Sequence, residues 1–483
     1  MKKALAILLA LTLALGLCGP ALAQEEVVTL KVLARTSDVS SYQDFIDALN
    51  EKLEAALNVR LEWIGQASSG YPDFVNNMLL TWDPEEVYDL IYIQGTAINA
   101  AYLGSMDTLV DMTDLVASST YLKPAMEGNP ILKAQFESCP YQLWPSSVNM
   151  CLQFRTDVLE ACPSYAAFLE KPDQAAYTQL LSEIKAQGYE GALTTQGIAY
   201  LFNTGTDSGF GITNTWMKQD DGSYLYSRVS DNFLDELKWW RQLYVDGVLH
   251  ANFATDNWES MENALYTGKV AGIAMKGGAY TVYYDSNTVA NYGEDAHITI
   301  LPPMVSDAGE QQYKITSTRF DRGWCISSSS KHVDKAFAVL DYMMSDEGRK
   351  IDLFGLEGVD YTLNEDGTYN LLHNSSEMNI YRIFDADVFG NVDVQAVTTG
   401  VPFWPDASFQ SLAMVKEYGR ADNDFVIPDE YATAWTACES LWQEFATQYI
   451  LGEKTDADWQ TFVDTWNSYG GADVAQYAAT ILN

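Results

Sequence analysis

Positive charge and cysteine are both scarce in this chain of 483 residues. Its 28 Lys and Arg stand against 66 Asp and Glu, and such a surface repels phosphate backbones and anionic lipids, which excludes nucleic acid as a partner. The six cysteines contain no C-x-x-C pair, which argues against both a zinc site and a disulfide framework. His250, His297, His332 and His373 are scattered without ligand spacing, and H-E-x-x-H is absent, as are G-x-S-x-G and phosphate-cradling glycine loops. Asp221-Gly222 and Asp366-Gly367 lie between strand-like segments and read as hairpin turns, because neither has the downstream glutamate that a calcium loop needs. No metal, no cofactor and no catalytic residue is assigned. There is no internal repeat, and after residue 23 no apolar run is long enough to span a bilayer.

What is present begins with an export signal. Lys2 and Lys3 precede an apolar stretch from Ala4 to Leu17, and Ala21-Leu22-Ala23 offers a small-x-small cleavage site. Cleavage after Ala23 is favoured. Lipidation at Cys18, which would tether the protein to a membrane, is the alternative, although Leu17 departs from the small residue that such signals prefer before the cysteine. Loss of Lys2 and Lys3 leaves 26 basic against 66 acidic residues, a net charge of −40 suited to solubility outside the cell. Five cysteines then remain, read as buried apolar residues, with a pairing of Cys139 to Cys151 or Cys162 left open. About 460 residues are too many for one core, so two or more domains are expected.

Leu30 to Ala34, Val59 to Ile64 and Tyr88 to Ile93 read as strands, separated by helical spacing at Phe45, Leu49, Leu53 and Leu57 and by a short helix from Phe74 to Leu80. That order implies parallel pairing with right-handed crossovers, an α/β lobe. Further on, Leu234, Leu237, Trp240 and Leu243 or Tyr244 mark a helix, Trp258 to Tyr266 a second one stopped at Thr267-Gly268, and Val270 to Met275 a strand buried on both faces that ends at Gly277-Gly278. In open α/β sheets ligands lie outside the carboxyl ends of strands, where glycines allow close approach.

The W-x-x-M-x-x-A-x-x-x-G-K-x-A-x-x-x-M segment from Trp258 to Met275 resembles the extracellular solute-binding proteins of ABC importers, in the maltose- and oligosaccharide-binding branch with lipoprotein-type members. Leu109 to Leu115, Phe154 to Glu160, Arg322 to Ser327, Val333 to Gly348 and Gly355 to Tyr361 are similar to successive phrases of that family, so the resemblance covers nearly the whole mature chain. It implies a two-lobed periplasmic-binding-protein-like fold of type II, each lobe a mostly parallel sheet flanked by helices, with hinge closure around a solute. The implied division is a signal peptide at 1–23, an N-terminal lobe of 24–147 plus about 320–346, and a C-terminal lobe of about 150–318 plus 348–483.

Aromatic residues make up 13% of the chain, and flat rings with few rotors pack on the C–H face of a sugar while polar groups bond its hydroxyls. Most must be core. The residues moved towards the cleft, because they sit at strand ends or lobe crossings, are Thr36, Ser37, Gln94, Thr96, Trp144, Arg155, Trp216, Trp258, Tyr280, Arg322, Trp324 and Trp404; Trp63, Trp239, Trp240 and Trp435 continue strand or helix patterns and are assigned to the core. The expected function is capture of a sugar or oligosaccharide by a monomer outside the cell and delivery to a membrane permease, without catalysis. The alternatives are a receptor for a peptide or other polar nutrient and, from another class, a secreted glycoside hydrolase.

Overall fold

The computed structural model describes residues 26–482 apart from 36–42, 68–69, 82–86, 95–98, 144–149, 317–321, 374–383 and 385–393. The export signal with Cys18, and the candidates Thr36, Ser37, Thr96 and Trp144, lie outside the described residues, and Gln94 is described by its backbone alone.

The first sheet contains β1 (Val28–Arg35), β2 (Val59–Gln66), β3 (Leu90–Gln94) and, much later in the chain, β11 (Arg322–Ile326), in the spatial order β11-β3-β1-β2. β1 pairs in parallel with β2 and β3, and β11 runs antiparallel to β3. Leu30, Val32 and Ala34 bury on one face of β1 and Leu33 on the other, which is why its apolar run is nearly continuous. The helix Gln43–Leu57 covers one face with Phe45, Leu49 and Leu53. Its buried Asn50 donates to Leu61 O at 3.1 Å and accepts from Leu61 N at 2.8 Å, so a polar core residue bonds the helix directly to β2.

The second sheet has the order β5-β8-β4-β9, from β4 (Met150–Arg155), β5 (Gly191–Thr195), β8 (Val270–Lys276) and β9 (Ile298–Ile300). Only β5 and β8 are parallel; β4 is antiparallel to both β8 and β9. The expected mostly parallel pattern thus describes the first sheet, whereas the second is mixed. β4 enters beside the carboxyl end of β8 and must run back along it. Hairpins form at both Asp-Gly sites: β6 (Trp216–Lys218) with β7 (Tyr224–Tyr226), and β12 (Tyr361–Leu363) with β13 (Tyr369–Leu371), Gly222 and Gly367 taking positive φ at the turns. β14 (Thr398–Gly400) extends the latter.

The large second-lobe core joins the helices Asp231–Val245 and Asp429–Leu451 to the β5 side of the sheet. The helix Asp346–Phe354 straddles the two bodies, since Ile351 packs in the first-lobe core while Leu353 and Phe354 pack with Val282, Phe403 and Trp404. Phe384 also belongs to the first-lobe core, so the stretch after 348 contributes to both lobes. A parallel pair, β10 (Tyr313–Ile315) and β15 (Gly419–Ala421), lies where the chain leaves the second lobe. Cys139, Cys151, Cys162, Cys325 and Cys438 are all buried and free, so the open Cys139 pairing does not form. Among the described residues no helix is long and apolar enough to cross a membrane.

Candidate functional site

Two crossings bring the sheet ends together. Leu143 pairs with Trp324 in the first lobe, and seven residues later Met150 pairs with Lys276, the last residue of β8. Ile315 of β10 and Arg322, the first residue of β11, are also seven residues apart. Seven peptide steps span at most about 25 Å. Leu143, paired with Trp324, and Met150, paired with Lys276, are therefore at most about 25 Å apart.

The second-lobe wall is the better furnished. The parallel pair β5 and β8, with Thr195 opposite Ala274, sets Gln196 and Gly197 beside Lys276, Gly277 and Gly278. Gly197 and Gly278 have φ of +83° and +64°, conformations that L side chains rarely adopt. Trp258 opens the helix Trp258–Tyr266, which runs back along β8, and its ring lies 6.2 Å from Tyr280 and 6.1 Å from Tyr284. Lys276 Nζ stands 5.3 Å from the Tyr280 ring centre. Trp258, Tyr280, Lys276 and Gln196 are half-buried, so each keeps a surface towards solvent. Burial pushes the Glu262 carboxyl above its ordinary value, against the hydrogen bond that it accepts from Tyr266.

The loop between β8 and Tyr280 is fixed from behind by two fully buried polar side chains. Gln153 of β4 donates through Nε2 to Lys276 O at 2.9 Å, and its Oε1 accepts from Thr281 Oγ1 at 3.3 Å. Ser411 Oγ, from the helix Asp406–Tyr418, accepts the Gly278 N–H. In the first-lobe wall, Arg322 Nε donates to the Tyr92 hydroxyl at 2.7 Å, and the Gln142 amide donates to Arg322 O.

The predicted residues separate on this geometry. Trp258 and Tyr280 lie at the Lys276 end of the second sheet, and Arg322 at the Gln94 end of the first. Arg155 lies at neither: β4 runs antiparallel to β8, so five residues beyond Met150 it lies about 17 Å away at the far end of the sheet, bonded to Asp157 and stacked 3.8 Å over Tyr292. Trp216 is 1% exposed, packed among Tyr226, Phe425 and Trp435 in the second-lobe core. Trp324 is 0% exposed between Trp63, Tyr92 and Phe384, because the face of β11 that carries it looks into the first-lobe core. Trp404, 5% exposed, packs against Phe403 and Phe409. A groove of about 650 Å³ on the flank of the first lobe, lined by Tyr121, Pro124, Tyr342 and Arg349 among others, includes none of the predicted residues.

The family described as bacterial extracellular solute-binding protein matches residues 34–350. The chain belongs to this family. Solved structures with the same fold include the FusA substrate-binding protein of an S. pneumoniae ABC transporter in complex with kestose (TM-score 0.60, 16% identity, covering 94% of this chain and 98% of that one). A solute-binding protein from Bifidobacterium longum infantis described as HMO-binding (TM-score 0.63, 13% identity, 94% and 98%) and the sugar-binding protein MalE from Xanthomonas citri (TM-score 0.61, 11% identity, 93% and 99%) share it as well. No curated protein matches the chain.

The candidate residues at these sheet ends extend beyond the predicted set. Lys276 directly precedes the Gly277-Gly278 pair singled out by sequence, so proximity was its available signal, whereas Gln196 had none. Gln153 and Ser411 carried none, since one lies within an apolar strand and the other in a helix more than 130 residues from the loop it holds.

Proposed function

We propose that this extracellular solute-binding protein captures a neutral sugar or oligosaccharide between its lobes and hands it to the permease of an ABC importer. The observation that carries the reading is the half-exposed group of Trp258, Tyr280, Lys276 and Gln196 at the ends of β5 and β8, which pairs ring faces with hydrogen-bonding groups as sugar recognition requires. The sugars named for the structural neighbours support the same class. Arg322 is the first-lobe partner, and contact with both walls favours the closed arrangement by its extra affinity for that state. No residue is assigned a catalytic role. The protein acts as a monomer, with cleavage after Ala23 preferred to lipidation at Cys18; mass spectrometry of the mature N-terminus distinguishes these. The functional test is a thermal-shift screen against mono- and oligosaccharides with product analysis. Stabilisation without product is expected, and release of smaller sugars would move the protein to the hydrolases.

A further inference from the structure

Behind the second crossing, four ionisable side chains are shut away from solvent in one place. Asp207, Arg228, Glu236 and Lys314 have side-chain exposures of 1, 4, 0 and 3%. Lys314 Nζ stands 3.0 Å from Asp207 Oδ2, yet neither it nor either Asp207 oxygen has an aligned hydrogen bond. Arg228 Nη1 and Glu236 Oε2 are 3.8 Å apart, too far for a direct bond, and neither has another partner. The remaining atoms are anchored: Arg228 Nη2 donates to Asn203 Oδ1 at 2.6 Å, its guanidinium lies about 5 Å from the rings of Phe202, Phe233 and Trp442, and Glu236 Oε1 accepts from Thr206 Oγ1 at 3.1 Å. Neither side chain of the pair is therefore free to swing over and close its gap.

A buried charged atom with no hydrogen bond costs several kcal/mol, and buried groups of this kind are as a rule satisfied by ordered water. We propose that Asp207, Arg228, Glu236 and Lys314 enclose an internal water-binding site at the root of the crossing that leaves β10. Water rather than an ion is the occupant because the charges balance. The site's four side chains are two acids, Asp207 and Glu236, and two bases, Arg228 and Lys314, and the neighbouring acids Asp422 and Glu439 are both pushed above the ordinary carboxyl value by burial. Lys314 lies two residues before Thr316, whose carbonyl accepts from Gln135 of the first-lobe helix Pro130–Ser138. The water therefore fills the base on which the crossing strand rests.

A crystal structure that resolves ordered water should show at least one water bonded to two or more of the four side chains. Direct pairing of Glu236 with Arg228 and full pairing of Asp207 by protein atoms would overturn the site, as would an anomalous-scattering ion in it. In solution, oxygen-17 relaxation dispersion counts long-lived internal waters. The double variant Arg228→Met, Glu236→Leu should lose at least one relative to the parent protein, and an unchanged count overturns the proposal. If that variant does not fold, the structure of the parent protein decides.

Discussion

Ser411 Oγ accepts the N–H of Gly278 at 2.5 Å across 133 residues of sequence, in a site where both are buried. Ser411→Ala leaves that N–H without its acceptor, a loss of about 1–3 kcal/mol. We expect faster hydrogen exchange at Gly278 with unchanged exchange at Leu152 in β4, weaker binding of any sugar found in the screen, and recovery of both with Ser411→Thr. A uniform rise in exchange across the second sheet would show instead that Ser411 serves stability alone.

Gly272 sits in the middle of β8, where an added Cβ would stand 2.2 Å from the Phe154 ring and 2.5 Å from Gln153 O. Neither neighbour can retreat, since one is core and the other is backbone of the adjacent strand. Gly272→Val should cost at least about 2–3 kcal/mol, seen as a lower urea midpoint, whereas Gly309→Ala, which meets no atom within 4 Å, bears only the strain of its positive φ.

The aromatic candidates should divide by phenotype. Trp258→Ala and Lys276→Ala are expected to weaken sugar binding with a small change in melting temperature. Trp216→Ala and Trp324→Ala remove fully buried rings and should cost about 3–5 kcal/mol of stability. Normal stability for the Trp324 variant combined with lost binding would return that residue to the site.

Glu236 gives the stability of the protein a pH dependence. Its folded-state value, about 7, lies above the ordinary 4.5, so its contribution is fully present below pH 4.5 and is lost as pH rises through 7, when burial of the ionised form must be borne. The window corresponds to about 3 kcal/mol. Urea unfolding at pH 5.5 and 8 should show the parent protein losing stability that Glu236→Gln retains. Equal slopes for the two proteins would count against a raised Glu236.

The order of strands and helices in the first lobe was legible because each segment keeps one period, and in the second lobe the stop at Thr267-Gly268 marked the end of a helix. The apolar run from Val270 to Met275 gave away a strand buried on both faces in the same manner. The direction of β4 was not legible, and that is why Arg155 was expected near the cleft: the residue after an apolar run lies at the top or the bottom of a sheet according to which neighbours the strand meets. Trp324 and Trp258 look alike as aromatics near the ends of elements, and only the partners of their faces, Phe384 for one and Tyr280 for the other, separate core from wall. Glu236 could not be found at all, since its companions Asp207 and Lys314 are distant in sequence and its own helix face is otherwise apolar.

β11 completes the first sheet although it is encoded more than 220 residues after β3. During synthesis the outer edge of β3 stays unpaired until residues 322–326 have emerged, while every strand of the second sheet is already made. The sheet that is begun first is thus completed after the other, and a fragment ending at residue 316 would carry an open, adhesive strand edge.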